Sequence, residues 1–159
     1  LNVQQRPGKS GSMDGDADLE DCIRFCAYLF GASAAEDTPF CFFCNGIDAL
    51  TRQPVRTAES WGISFALEQS RTLARLSVGD AKKIDLFLQE DAAFLSASQL
   101  ILVSTYLDDG LKAFARDRAR RGTAVSIFVC GRTVSSDFED YSYSLFTLRG
   151  SEKKEGKTS

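Results

Sequence analysis

The sequence contains no histidine. That absence closes Ser-His-Asp and Cys-His nucleophile activation, imidazole general-base chemistry and every metal site with a histidine ligand. Long apolar runs are missing as well. No stretch approaches the about 18 residues of a spanning helix, so no contact with the membrane interior is expected. Charge of one dominant sign is also lacking. Lys and Arg number 19 against 22 Asp and Glu, a net charge of −3, and bulk electrostatics do not announce a nucleic-acid binder. The sequence begins at Leu1, without an initiator Met or a charged-then-apolar leader, as a mature form or excised fragment would.

What is present fits one soluble globular domain: 159 residues, 43% hydrophobic and 26% charged. Residues 1–18, with Gly11-Ser12-Met13 inside them, read as a flexible leader or cloning remnant. Residues 19–149 read as the folded domain, and 150–159, carrying Lys153, Lys154 and Lys157, as a disordered polar tail. Acidic residues from Asp14 to Asp21 mark the entry, and Arg116, Arg118, Arg120 and Arg121 form a basic cluster.

Five cysteines, Cys22, Cys26, Cys41, Cys44 and Cys130, are an odd number without secretory context, which argues against a disulfide framework. A C-x3-C and C-x2-C set could supply four thiolates to zinc. The two Phe residues between Cys41 and Cys44 suit a pleated, buried segment better than a zinc knuckle. The cysteines are therefore read as small buried apolar residues, with no metal or cofactor.

Alternation dominates the rest. Cys22 to Phe30, Phe40 to Cys44, Trp61 to Leu67, Leu73 to Val78, Ile84 to Leu88 and Leu100 to Tyr106 are expected strands. Asn45-Gly46 and Gly79-Asp80 are expected turns, and Leu50 to Glu59 a loop. Trp61 is placed in the core. One helix is expected, opened by Asp108-Asp109, carrying Leu111, Phe114, Ala115 and Arg118 at helical spacing, and ended by Gly122. Val125 to Val129 and Tyr141 to Leu148 then close the sheet. Strands with one helix before the last two give the order of an all-β, five-stranded OB-fold barrel with extended loops.

The run Arg121-Gly122-Thr123-Ala124-Val125-Ser126-Ile127-Phe128-Val129-Cys130-Gly131-Arg132 resembles the helix-to-strand passage of bacterial and mitochondrial single-stranded DNA-binding proteins. Trp61-Gly62-Ile63-Ser64-Phe65-Ala66-Leu67 and Tyr28-Leu29-Phe30-Gly31 are similar to other strands of that family. The long segments Ala32 to Glu59 and Ser70 to Ser96, and the lysine-bearing tail, depart from its simple bacterial form. They resemble instead the OB-fold interaction proteins of the kinetoplastid mitochondrial RNA-editing complex.

That resemblance implies a non-catalytic scaffold in the mitochondrial matrix, pairing with other OB-fold proteins as a homo- or hetero-oligomer and binding single-stranded RNA. The pairing surface would be the first-strand edge at Ile23, Phe25 and Tyr28. Phosphates and bases would meet Arg52, Arg56, Arg71, Arg75, Lys82, Lys83, Arg132 and Phe138. The alternatives are a mitochondrial single-stranded DNA-binding protein and a small zinc- or thiol-containing domain. No phosphate loop, paired-carboxylate motif or activated nucleophile supports an enzyme.

Overall fold

The computed structural model describes residues 1–4, 17–78, 81–90, 96–130 and 142–148. Leu19, Cys22, Cys26 and Phe30, buried at helical spacing, lie on helix α1, Ala17–Ala35. Strands β1 (Phe43–Asp48) and β2 (Pro54–Arg56) follow, then helix α2 (Ile63–Leu73) and the short strand β3 (Leu76–Ser77). Helix α3 (Ile84–Gln89) leads to strand β4 (Gln99–Ser104), helix α4 (Asp109–Arg120), strand β5 (Ala124–Cys130) and strand β6 (Ser144–Leu148).

The strands form two sheets. One is antiparallel, in the order β2-β1-β3; the other is parallel, in the order β4-β5-β6. Residues 1–4 lie between them. The Asn2 amide donates to the Val103 carbonyl at 2.9 Å, and the Val3 amide donates to Asn45 Oδ1 at 2.9 Å. Leu1, Asn2 and Val3, within the stretch read as a leader, are thus buried where β1 meets β4.

Each side of the parallel sheet has its own core, as strands covered on both faces require. On one side α1 and α2 pack Leu19, Cys22, Cys26, Phe30, Phe42, Cys44, Ala66 and Leu73 with Val103 and Cys130. On the other, α3 and α4 pack Ile84, Phe87, Leu88, Leu111 and Phe114 against Leu100, Leu102, Val125, Ile127 and Val129. Each such aliphatic side chain, once buried, contributes about 1.5–3 kcal/mol.

The expected all-β OB barrel is overturned: the fold is mixed α/β, with no closed barrel. Cys22 to Phe30 is helical because apolar residues occupy nearly every position there, so the segment fits either period. The contacts of Cys22, Cys26 and Phe30 with β1 and β5 select the helix. Helix α2 replaces the expected Trp61 strand. Gly62, at φ 84°, starts it, and Ala66, Gln69, Thr72 and Leu73 face inward. Trp61 is therefore 63% exposed rather than core. Ile84, Phe87 and Leu88 are buried on α3 rather than alternating on a strand.

Asn45-Gly46 is no turn but an irregularity inside β1, between Cys44 and Ile47. A Cβ on Gly46 would stand 3.0 Å from Val3 and 3.2 Å from the Ser77 carbonyl, a tight fit that would press both neighbours away. The expected closing hairpin is a parallel β5–β6 pair. The helix opened by Asp108 and ended by Gly122 forms as α4. Asp108 accepts from the Leu111 amide at 2.8 Å, and Gly122 takes φ 88°.

Candidate functional site

In open α/β sheets the crevice outside the carboxyl ends of parallel strands is the usual ligand position, because strand-to-helix connections converge there. At the end of β4 stands Ser104. The chain then turns through Tyr106 to Asp108, the N-cap of α4, while Asp85 occupies the first turn of α3. The two carboxylates meet at Gly110. A Cβ added there would lie 3.3 Å from Asp85 Oδ2 and 3.4 Å from Asp108 Oδ1. Glycine in the first turn of α4 thus keeps open a space flanked by two acidic oxygens. Asp109 points elsewhere and pairs with Lys112 at 3.2 Å.

A buried polar network joins residues 1–4 to β1, to β4 and to the segment leading into α3. Asn2 Nδ2 donates to Ser104 Oγ at 3.0 Å, and Asn45 Nδ2 donates to Asn2 Oδ1 and to the Lys82 carbonyl, each at 2.9 Å. Gln4 Nε2 donates to the Ala81 carbonyl at 3.0 Å, and Tyr106 OH donates to Gln4 Oε1 at 3.3 Å. Asn2, Asn45 and Ser104 are fully buried. Buried amides with all their partners in place rigidify a site. This set ties the entry of α3 to β1 and β4. Burial raises the Tyr106 phenol above its usual range, a hydrogen bond with Asn2 opposes this, and the nearby charges of Asp108 and Asp85 add to the rise. A cavity of about 1040 Å³ leads away from Asp85 and Gly110 between α3 and α4, past Gln89, Ser98, Asp117 and Arg121.

The basic residues expected to meet nucleic acid divide into two groups. Arg56 and Lys82 converge on Glu90, at 3.0 and 3.1 Å, and hold its carboxyl below the usual range, Lys82 contributing most. Arg56 also lies 4.3 Å from the centre of the Phe87 ring, and Lys83 is the exposed N-cap of α3. Lys83 thus precedes Asp85 at the start of α3, whereas Arg56 and Lys82 gather at its C-cap, Glu90. Arg75 instead holds Asp48 through two bonds of 3.0 and 3.1 Å, and Arg52 and Arg71 stand exposed near the same end of β1 and α2. Arg132 and Phe138 lie outside the described residues. Ile23, Phe25 and Tyr28, expected on a strand edge, lie on α1. Phe25 packs on Phe128, and Tyr28 is 68% exposed.

Sequence reasoning took Asp108 for a helix cap alone and passed over Asp85, Gly110, Asn2 and Asn45. A signal was present: an apolar run, Leu100 to Ser104, leads into an Asp-Asp-Gly helix start. That is the pattern of a parallel strand delivering a carboxylate to the sheet's carboxyl edge.

Among the described residues, no three or more Cys, Asp or Glu side chains gather as a metal cluster. Cys41 is exposed and Cys44 buried, on opposite sides of the chain. No helix among the described residues is long and apolar enough to cross a membrane. Compared with protein-family models, curated proteins and solved structures, the chain matches none.

Proposed function

We propose that the chain binds single-stranded nucleic acid at the carboxyl edge of its parallel sheet, one backbone phosphate being held through a divalent cation between Asp85 and Asp108. The observation that carries this reading is the space at Gly110 with a carboxylate oxygen on each side. Mg²⁺ prefers one or two carboxylates together with ligand phosphate oxygens, which is the donor set available here. Bound there, the cation would neutralise the phosphate and polarise it toward attack by water, making phosphodiester hydrolysis the reaction class to assay. Lys83, exposed at the N-cap of α3, supplies positive charge two residues before Asp85, while Arg56 and Lys82 are paired with Glu90 at the other end of that helix. The cavity between α3 and α4 opens beside Asp85 and Gly110 and extends toward the starts of β4 and β5, past Ser98 and Thr123.

The scaffold role in an RNA-editing complex relied on a strand edge at Ile23, Phe25 and Tyr28. Those residues are helical, and what supports a pairing role is the exposed aromatic surface of Tyr28 and Phe146.

The test is anisotropy of a labelled single-stranded RNA with Mn²⁺ or with EDTA, followed by a gel assay for cleavage. Binding is expected to need the cation and to weaken by about tenfold or more in Asp85→Asn and Asp108→Asn. Asn caps a helix as well as Asp, so Asp108→Asn leaves α4 intact. Binding indifferent to EDTA and to both substitutions would overturn the reading.

A further inference from the structure

Four thiols that the proposed site does not use are buried in one core: Cys22 and Cys26 on α1, Cys44 on β1 and Cys130 at the end of β5. Helix α1 crosses β5 with Phe25 against Phe128, their ring centroids 4.5 Å apart. Cys22 is nearly one turn back along the helix, a rise of about 4.5 Å. Cys130 is two residues on along the strand, on the same face, about 6.6 Å away. Cys22 shares the inward face of α1 with Phe25, Cys130 shares a face of β5 with Phe128, and both thiols lie in the same buried core. Hydrogen bonding between the two thiols raises the pKa of Cys22 and lowers that of Cys130.

We propose that Cys22 and Cys130 are a disulfide-forming pair, which a peroxide closes to bridge α1 to the carboxyl end of β5. The hydrogen bond with Cys22 favours the Cys130 thiolate, making it the attacking sulfur, whereas burial pushes Cys26 up to about 12 and keeps it a thiol. The Cys130 thiolate attacks one oxygen of hydrogen peroxide and the O–O bond breaks. Sulfenic acid forms, and the departing hydroxide takes up the proton that Cys130 released. The Cys22 sulfur then attacks the sulfenic sulfur, and its proton leaves with the displaced hydroxide as a second water. Two thiols and one peroxide become one disulfide and two waters.

Both sulfurs are closed to solvent, so the oxidant enters when the first turns of α1 open locally, and the reaction is slow in the folded chain. The bridge closes a loop spanning most of the chain and so raises the melting temperature. It sits beside the proposed site, since Val129 is paired with Ser104, but it does not depend on that reading.

The experiment oxidises the whole chain with hydrogen peroxide, denatures it, alkylates it with iodoacetamide and measures the intact mass. Three alkylated cysteines instead of five are expected, with a Cys22–Cys130 cross-linked peptide in the non-reducing digest. Dithiothreitol should restore all five, and Cys41→Ser should oxidise as the parent does. Five thiols left after oxidation, or a cross-link joining Cys41 to Cys44 or Cys26 to Cys44, would overturn the proposal. The cross-link map is read on the parent chain, so its answer stands even where Cys22→Ser or Cys130→Ser fails to fold.

Discussion

The parallel sheet and the antiparallel sheet are built from different materials. Around β4 and β5, on the α3–α4 side, the core is aliphatic and regular: Leu100, Leu102, Val125, Ile127 and Val129 project inward at every second residue. Around β1, the core is thiol and aromatic, with Cys22, Cys26, Phe30, Phe42 and Cys44 packed among rings, and the β1 ladder is interrupted at Asn45 and Gly46. A regular aliphatic core specifies one strand register, because a slip by one residue moves every side chain to the opposite face of the sheet, into a core of different shape. Close β1 packing on residues 1–4 and β3 instead rests on a glycine and a buried amide. The first region is the chain's scaffold, and the second region's irregular strand brings Asn45 to the polar network that joins residues 1–4, β4 and the entry of α3.

Substitution at Ile127 would test that contrast most severely. Ile127→Ala removes a fully buried side chain between two helices and should cost about 2–5 kcal/mol in urea unfolding. Cys26→Ala removes far less volume from the other core and should cost about 1 kcal/mol. Equal losses would erase the distinction between the cores.

Acid should act on the antiparallel region first. The Arg75 guanidinium beside Asp48 holds its carboxyl below the usual range. A carboxyl whose folded pKa is depressed adds stability above the unfolded value of about 3.9, and that stability is lost as pH falls through the lower folded value. Unfolding monitored from about pH 5 downward should lose stability less steeply in Asp48→Asn than in the parent chain, and identical slopes would remove Asp48 from the account. The smallest expected effect is at Trp61. Exposed at the start of α2, it should cost within about 0.5 kcal/mol on replacement by Ala, where a core tryptophan would cost about 3–5.

Much of the parallel region was legible in the sequence. Leu100 to Tyr106 reads as a strand, Asp108 to Gly122 as a capped helix, and Val125 to Val129 as a strand, because each carries a local signal that its neighbours do not contradict. The antiparallel region was legible only in part. Cys22 to Phe30 is apolar at nearly every position and satisfies periods of 2 and 3.6 alike, whereas Trp61 to Leu67 alternates as a strand would and α2 forms with Trp61, Ile63 and Leu67 left exposed. The candidate site was the least legible of all. Asp85 and Asp108 are separated along the chain, and Asn2 is farther still from both.

The absence of histidine, the near-balanced charge, the helix cap at Asp108 and the two apolar strands around it are fixed by the residues themselves, since each depends on composition or on neighbours within a few positions. Only tertiary packing decided that β4, β5 and β6 lie parallel, that Cys22 to Phe30 coils, and that Asp85 faces Asp108 across Gly110. Strand direction and the meeting of distant side chains are set by which surfaces cover one another, and no stretch of sequence carries that information alone.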